Sequence, residues 1–158
     1  MTLAIRSPSF QHNGMMPALY TCEGENISPP LSWGQPPDGT KSLVLIIDDP
    51  DAPDPAAPKM TWVHWVLYNL PPVAASLRAG ATEVELPTGT LVGINDRKNV
   101  GYNGPCPPVG THRYFHKLYA LDIVLPDLRA PTKAALLSRI EGHVLEYSEL
   151  IGLYQLEK

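Results

Sequence analysis

The chain has 158 residues, of which 44% are hydrophobic and 18% charged, and its formal net charge is −4. This length and balance predict one globular domain over residues 1–158 and argue against a disordered chain. The acidic net charge and the lack of a Lys/Arg cluster argue against a nucleic-acid partner, and no apolar run is long enough to span a membrane as a helix.

The predicted elements are mainly strands, because 18 prolines and 12 glycines punctuate the chain too densely for long helices. In chain order we expect strands at residues 3–7, 31–33, 42–48, 62–70, 83–86, 114–125 and 149–156. Residues 42–48 form an unbroken apolar run and residues 62–70 are apolar on both faces, so both strands should lie centrally in a sheet. Strict alternation puts Trp62 and His64 on the face of Val66, opposite Val63 and Trp65.

One helix is predicted after the last of the long loops. Thr132 can cap it, Leu136, Leu137 and Ile140 follow helical spacing, and Gly142 can end it. Together these elements predict a mainly β fold, a β-sandwich with one or two small peripheral helices.

Three polar residues stand where loops meet the buried strands: Asp49, His64 and His112. Taken singly, they can be a turn residue, a hydrogen-bonded core histidine and a loop residue. If the strands are neighbours, the three side chains converge, and buried charges need partners. We expect Asp49 to orient a histidine through one ring N–H and to leave the other ring nitrogen facing a pocket.

A stiff loop leads into the third of these strands. Residues 104–110 contain three prolines between Gly104 and Gly110, and His112 and Tyr114 follow directly. Proline fixes φ and lacks an N–H, so this loop has little freedom left to lose. It is suited to hold a preformed pocket.

Four chemistries are conceivable for such a pocket. No Gly-x-Ser-x-Gly elbow supports acyl transfer. Two imidazoles and a carboxylate can bind zinc, but the spacing of Asp49, His64 and His112 matches no metal motif. Cys106 as a nucleophile would need a base beside it. An anion pocket fits best, since imidazole, the Tyr114 hydroxyl and loop N–H groups can all donate. It requires a histidine to offset the charge of Asp49, and predicts tighter binding when the histidines are protonated.

The two cysteines and the N-terminal sequence bear on the cellular compartment of the protein. Cys22 and Cys106 lie 84 positions apart without a metal-type spacing, and the N-terminus lacks the pattern of a signal peptide. We expect two free thiols in a reducing cytoplasm.

Several motifs together resemble the phosphatidylethanolamine-binding protein family, and most of all its bacterial and archaeal Raf-kinase-inhibitor-like branch. The motifs are Asp49-Pro50-Asp51-Ala52-Pro53, Trp62-Val63-His64-Trp65, Gly104-Pro105-Cys106-Pro107-Pro108 and Gly110-Thr111-His112-Arg113-Tyr114, with further signatures at residues 20–33 and 140–145. The resemblance covers nearly the whole chain, with its motifs in fixed order. It implies a β-sandwich with small peripheral helices.

The resemblance also implies a cavity for phosphate, phosphoethanolamine-like head groups or other small anions. Carried over, its wall comprises Asp49, Pro53, Trp62, His64, Tyr102, Pro108, His112 and Tyr114. Asp51, Cys106, Gly104 and Gly110 would support it, with Asp51 holding two loops together. No cofactor is implied, and relatives in this branch tend to form dimers.

Two departures from the family pattern bear on the ligand and on partners. Arg97 and Lys98 follow Asn95-Asp96 where an aromatic residue or glycine is expected. They suit a solvated loop, and near the pocket mouth they would favour an anion. The C-terminal helix of eukaryotic members is not expected here, which weakens any carry-over of kinase inhibition.

The sequence therefore predicts a cytoplasmic, non-enzymatic protein that binds a small anionic or phosphorylated ligand. Two alternatives stay open. One is a protein–protein regulator, of a kinase or protease, that acts through the loop rim; the other is a hydrolase or metal enzyme.

Overall fold

A computed structural model describes residues 3–157 and confirms a mainly β fold. Its strands are β1 (Gly14–Met15), β2 (Leu31–Ser32), β3 (Ser42–Ala52), β4 (Met60–Leu70), β5 (Ser76–Leu77), β6 (Leu91–Val92), β7 (His112–Leu121) and β8 (Val144–Tyr154). One α-helix, α1, spans Lys133–Ile140, and single 3-10 turns lie at Ala18–Tyr20 and Glu83–Glu85. None of the helices in the described part of the chain is long and apolar enough to cross a membrane.

The strands form one large sheet and one small one. Six strands pair in the order β1-β8-β7-β3-β4-β6, while β2 pairs with β5 in a separate two-stranded sheet. β3 lies between β4 and β7 and is antiparallel to both. The three strands that carry Asp49, His64 and His112 are therefore direct neighbours.

A core covers each face of β3, as its unbroken apolar run predicts. Leu43, Leu45 and Ile47 point into the larger core, which the two-stranded sheet and the N-terminal segment cover. Val44 and Ile46 point into a smaller core under α1. The fold thus has a loop-covered face, where the polar residues gather, and a helix-covered face.

The helix has the predicted boundaries. The Thr132 hydroxyl accepts a hydrogen bond from the Ala135 N–H at 3.1 Å, which caps α1, and Gly142 beyond its end has φ 83°. Leu136 and Ile140 are its buried residues.

Most of the predicted strands differ from the structure in their bounds. β3 continues to Ala52, four residues beyond its predicted end, so Asp49 lies within the strand. β4 begins two residues earlier than predicted, at Met60, and β8 spans Val144–Tyr154 instead of residues 149–156. Residues 3–7 contribute only a single bridge, Arg6 to Ser32. Residues 83–86 form a 3-10 turn, because Thr82 and Glu85 make a capping box there. β7 begins two residues earlier than predicted and ends at Leu121, four residues before the predicted end.

A β-bulge in β4 overturns the predicted alternation. Ile47 pairs with Trp65 and Asp48 with Val63, so His64 is an extra residue without its own partner on β3. Val63 consequently belongs to the helix-side core with Val66, and Trp62 turns toward the loop-covered face. The prediction that Trp62, His64 and Val66 share a face was wrong, because strict alternation assumes an unbroken ladder.

The prediction of two free thiols was also wrong. Cys22 and Cys106 form a disulfide with a Cα–Cα distance of 5.4 Å. Closing a loop of 84 residues constrains the unfolded chain and stabilises the fold by about 4 kcal/mol in the chain-entropy picture. It also removes the thiol argument for a reducing cytoplasm, since disulfides persist mainly in oxidising compartments.

The rigid loop packs closely against the segment that bears Cys22. The Gly104 N–H donates to Asn26 Oδ1 at 2.8 Å, and the Cys22 N–H donates to the Pro105 carbonyl at 3.1 Å. A Cβ at Gly104 would collide with the Tyr20 carbonyl, so only glycine fits there. The loop is fixed by these contacts as well as by its prolines.

Candidate functional site

A cavity of about 550 Å³, which we call the main cavity, opens on the loop-covered face at the end where β3, β4 and β7 meet. Its wall consists of Asp49, Ala52, Pro53, Met60, Trp62, His64, Arg97, Gly104, Cys106, Pro107, Pro108, His112 and Tyr114. Seven of the eight wall residues implied by the family resemblance line this cavity.

Asp49 and His112 form a buried pair at the inner end of the cavity. Asp49 lies 3% exposed and His112 fully buried, with Oδ2 and Nδ1 2.5 Å apart. The other carboxylate oxygen accepts the Asp51 N–H at 2.7 Å. Both oxygens of Asp49 are therefore occupied within the protein.

The second ring nitrogen of His112 does not face the cavity, contrary to the prediction. Nε2 lies 3.0 Å from the Pro53 carbonyl and 2.9 Å from the Val109 carbonyl. Carbonyls only accept, so Nε2 must carry a proton, and the proton between Nδ1 and Asp49 makes the pair neutral overall. His112 thus offsets the charge of Asp49 and ties the loops of Pro53 and Val109 together.

His64 is the histidine that offers a nitrogen to the cavity. Its Nδ1 donates to the Asn103 carbonyl at 2.6 Å, and its Nε2 has no hydrogen-bond partner within residues 3–157. Burial lowers the pKa of His64, against the opposing pull of Asp49, Asp48 and Asp96. The neutral ring therefore presents an unprotonated Nε2 at pH 7.

Tyr114 completes the polar inner end. Its ring stacks on His112 at 6.2 Å and meets His64 edge-on at 5.3 Å. Burial, the negative charge of Asp49 and the hydrogen bond that the phenol donates to the Asp49 carboxylate raise the pKa of Tyr114, so the phenol stays protonated.

Asp51 supports the site from outside the cavity. Its carboxylate accepts from Arg113 Nε at 2.9 Å, from Nη2 at 2.8 Å and from the Arg113 backbone N–H at 2.9 Å. The Arg113 guanidinium lowers the pKa of Asp51. This bidentate pair locks the end of β3 to the start of β7, where Asp49 and His112 lie.

Neither Tyr102 nor Gly110 lines this cavity, although the resemblance implies that Tyr102 is part of its wall. Tyr102 lines a separate cavity of about 320 Å³, packs edge-on against Trp65 and donates to the Tyr20 carbonyl at 2.8 Å. It lies outside the main cavity because its hydroxyl is used in holding the Tyr20 segment. Gly110 has φ 73° and packs against Pro55 behind the wall.

Sequence reasoning missed three wall residues: Ala52, Met60 and Pro107. The position of Met60, two residues before Trp62, could have identified it. For Arg97 the sequence left two interpretations open, a solvated loop and the pocket mouth, and the side chain lines the cavity.

Metal binding and nucleophilic catalysis by Cys106 have little support in the geometry of the described residues. Among the described residues no three His, Cys, Asp or Glu side chains form a metal-binding group. His112 has both nitrogens engaged, and Cys106 is held in the disulfide, so it offers no thiolate.

Comparison with known proteins agrees with this architecture. The family model of the phosphatidylethanolamine-binding proteins matches residues 6–155. A UPF0098 protein of Methanothermobacter thermautotrophicus is 48% identical over 96% of this chain and 97% of its own length. A crystal structure of a phosphatidylethanolamine-binding protein homolog from Chlamydia trachomatis has a TM-score of 0.90 at 40% identity, covering 98% of both chains.

A more distant structure has the same arrangement. E. coli YbcL, described as a new member of the mammalian family, has a TM-score of 0.88 at 28% identity and covers 98% of this chain and 99% of its own. From the matched family model, the relatives and the shared fold, we conclude that this chain belongs to the phosphatidylethanolamine-binding protein family.

Proposed function

We propose that this protein binds a small anionic or phosphorylated ligand in the main cavity, without catalysing a reaction on it. The observation that carries the proposal is the free Nε2 of His64 beside the protonated Tyr114 phenol, in a cavity whose Asp49 charge is offset by His112. A phosphomonoester or phosphate can share a proton with His64 and can accept the Tyr114 phenol proton in place of Asp49.

The rigidity of the wall supports binding over catalysis. Two prolines of the loop, its disulfide and the His112 contacts hold the cavity in one form, so little ordering is lost when a ligand enters. Among residues 3–157, the cavity wall contains no serine, threonine or free cysteine. The proposal does not depend on the compartment in which the protein works.

Binding should depend on pH through His64. Its pKa is lowered below 6.5 by burial, and Asp48, Asp49 and Asp96 face it with opposing effect. As pH falls through that lowered value, Nε2 gains a proton and becomes a donor to the anion. We therefore expect affinity to rise as the pH falls below 6.5.

The test is a titration of phosphoethanolamine, followed by the ring signals of the histidines in NMR. The ring signals of His64 should shift at millimolar ligand, whereas those of the fully buried His116 and the half-exposed His143 should not. Sulfate, whose charge is constant over this range, separates titration of His64 from titration of the ligand. Absence of a His64 shift with either anion would refute the proposed function.

A partner protein at the loop rim predicts a different result. In a pull-down, His64→Ala would retain such a partner, because the rim does not involve the ring of His64. Under our proposal His64→Ala loses binding of the small anion.

A further inference from the structure

We infer that Arg97 selects the charge of the ligand, so that the cavity takes ionised phosphomonoesters and discriminates against their neutral analogues. This inference rests on the proposed function and goes beyond it by naming the residue that selects for the charge of the ligand. Nothing in the family pattern supplies it, since this chain departs from that pattern at this position.

The charges of the wall single out Arg97. Its guanidinium is the one Lys or Arg side chain in the cavity wall, as far as residues 3–157 show. Asp49 and His112 cancel each other, and His64 is neutral because burial disfavours its charged form. Arg97 therefore gives the cavity wall a net charge of about +1, counted from the formal charges of these groups.

Arg97 has no competing partner. Its side chain makes no hydrogen bond or ion pair within the described chain, and the carboxylate of the preceding Asp96 is used by the Val63 N–H at 2.8 Å. An unpaired guanidinium offers a planar fork of N–H donors that fits a phosphate with two parallel hydrogen bonds. An uncharged ester would forgo this contact.

The turn that bears Arg97 is fixed in place. Asn95 is 2% exposed; its Oδ1 accepts the N–H groups of Arg97 at 2.9 Å and Asn99 at 3.1 Å, and its Nδ2 donates to the Gly101 carbonyl at 2.9 Å. The Asp96 N–H also donates to the Val63 carbonyl at 2.9 Å. The turn is thus attached to β4 next to Trp62 and His64, and the exposed Arg97 side chain lines the cavity from this turn.

The wall beside Arg97 suits an organic substituent. Met60 is 49% exposed and Trp62 half-buried on the same strand, and both line the cavity. Inorganic phosphate fills a small part of 550 Å³, whereas an ester could place its carbon skeleton on this apolar wall. The ligand class is therefore an organic phosphomonoester.

The adjacent Lys98 provides a matched control. Lys98 is exposed and does not line the cavity, and its substitution by glutamine removes the same charge as Arg97→Gln. We would measure the binding of phenyl phosphate, inorganic phosphate and the neutral triester trimethyl phosphate by calorimetry. The variants would be Arg97→Gln, Arg97→Lys and Lys98→Gln, with thermal unfolding as the check on folding.

The inference predicts a graded result. Arg97→Gln should weaken phenyl phosphate about 10-fold or more, Arg97→Lys should weaken it about 3-fold through loss of the fork, and Lys98→Gln should change it less than about 2-fold. Wild-type protein should bind phenyl phosphate more tightly than inorganic phosphate and should not detectably bind trimethyl phosphate.

The outcomes separate the two proposals. If the wild type binds phenyl phosphate and Arg97→Gln and Lys98→Gln affect it equally, the role of Arg97 is refuted while the binding function stands. If the wild type binds neither anion, both are refuted.

Discussion

Two consecutive aspartates, Asp48 and Asp49, are both buried, but on opposite faces of β3 and with different partners. Asp48 lies on the helix-covered face, where one oxygen accepts from Lys117 Nζ at 2.9 Å and from Lys133 Nζ at 2.6 Å. Its other oxygen is buried without a partner among the described residues. Asp49, on the cavity face, has both oxygens satisfied by His112 and the Asp51 N–H.

The difference shows how the same residue serves packing on one face and a binding site on the other. The two lysines reach Asp48 with side chains about 20% exposed, so their ammonium groups remain near water. His112 is sealed with Asp49 and also bonds two loop carbonyls. Breaking the Asp49 pair should therefore cost more than removing one lysine from Asp48.

The largest effect should follow from removing His112. His112→Leu leaves the Asp49 carboxylate buried without a cationic partner and frees the rim loops, so the free energy of unfolding should fall by about 3–5 kcal/mol. Urea unfolding at pH 7 measures it. Adding Asp49→Asn to this variant should restore more than about 1 kcal/mol, because a neutral amide needs no counter-charge. His143→Leu, which removes a half-exposed imidazole paired with the half-exposed Asp122, serves as the control. A loss below about 1 kcal/mol for His112→Leu would contradict the pairing.

An intermediate effect should come from His116, a buried group with no charged partner. Its Nδ1 donates to the Tyr114 carbonyl at 3.0 Å and the Leu150 carbonyl at 3.2 Å, while Nε2 is buried and unpaired. Burial lowers the pKa of His116 to about 4; the nearby His64 acts in the same direction and Asp48 opposes it, and the Phe10 ring packs against it.

The sign of the resulting pH dependence follows from this lowered pKa. Below pH 6.5 His116 is protonated in the unfolded chain but stays neutral in the folded protein. Its contribution to the free energy of unfolding is therefore fully present above pH 6.5 and is lost as the pH falls to about 4. The loss from this residue is at most about 3 kcal/mol. In His116→Leu the difference between pH 7 and pH 4.5 should shrink, measured by urea unfolding at both values. Parallel pH profiles for the two proteins would contradict a neutral, buried His116.

The smallest effects should come from single lysines on the helix-covered face. Lys117→Met or Lys133→Met should each lower the free energy of unfolding by about 1 kcal/mol, because Asp48 keeps one ammonium partner. The double variant should exceed the sum of the two, since Asp48 then becomes an unpaired buried charge. The exposed Lys41→Met is the control, and strict additivity would show that the two lysines do not share one carboxylate.

Much of this protein follows from local sequence. The apolar run of β3 specifies a strand buried on both faces, and Thr132 with Gly142 specifies the ends of α1, because burial and capping depend on near neighbours in the chain. On β7 the ladder with β3 is unbroken, and Tyr114 and Leu118 both lie in the larger core. The motifs also identify the family and most of the cavity wall.

The remaining features depend on contacts between distant segments. Alternation failed on β4, where the register with β3 inserts His64 as a bulge and turns Trp62 toward the cavity. The disulfide forms because the fold brings Cys22 and Cys106 together across 84 residues. Arg97 lines the cavity because the turn that follows Asn95 is hydrogen-bonded to β4. Local residue types determined that a polar site forms at these strand ends; strand register and loop packing decided which nitrogen, and which cation, faces the ligand.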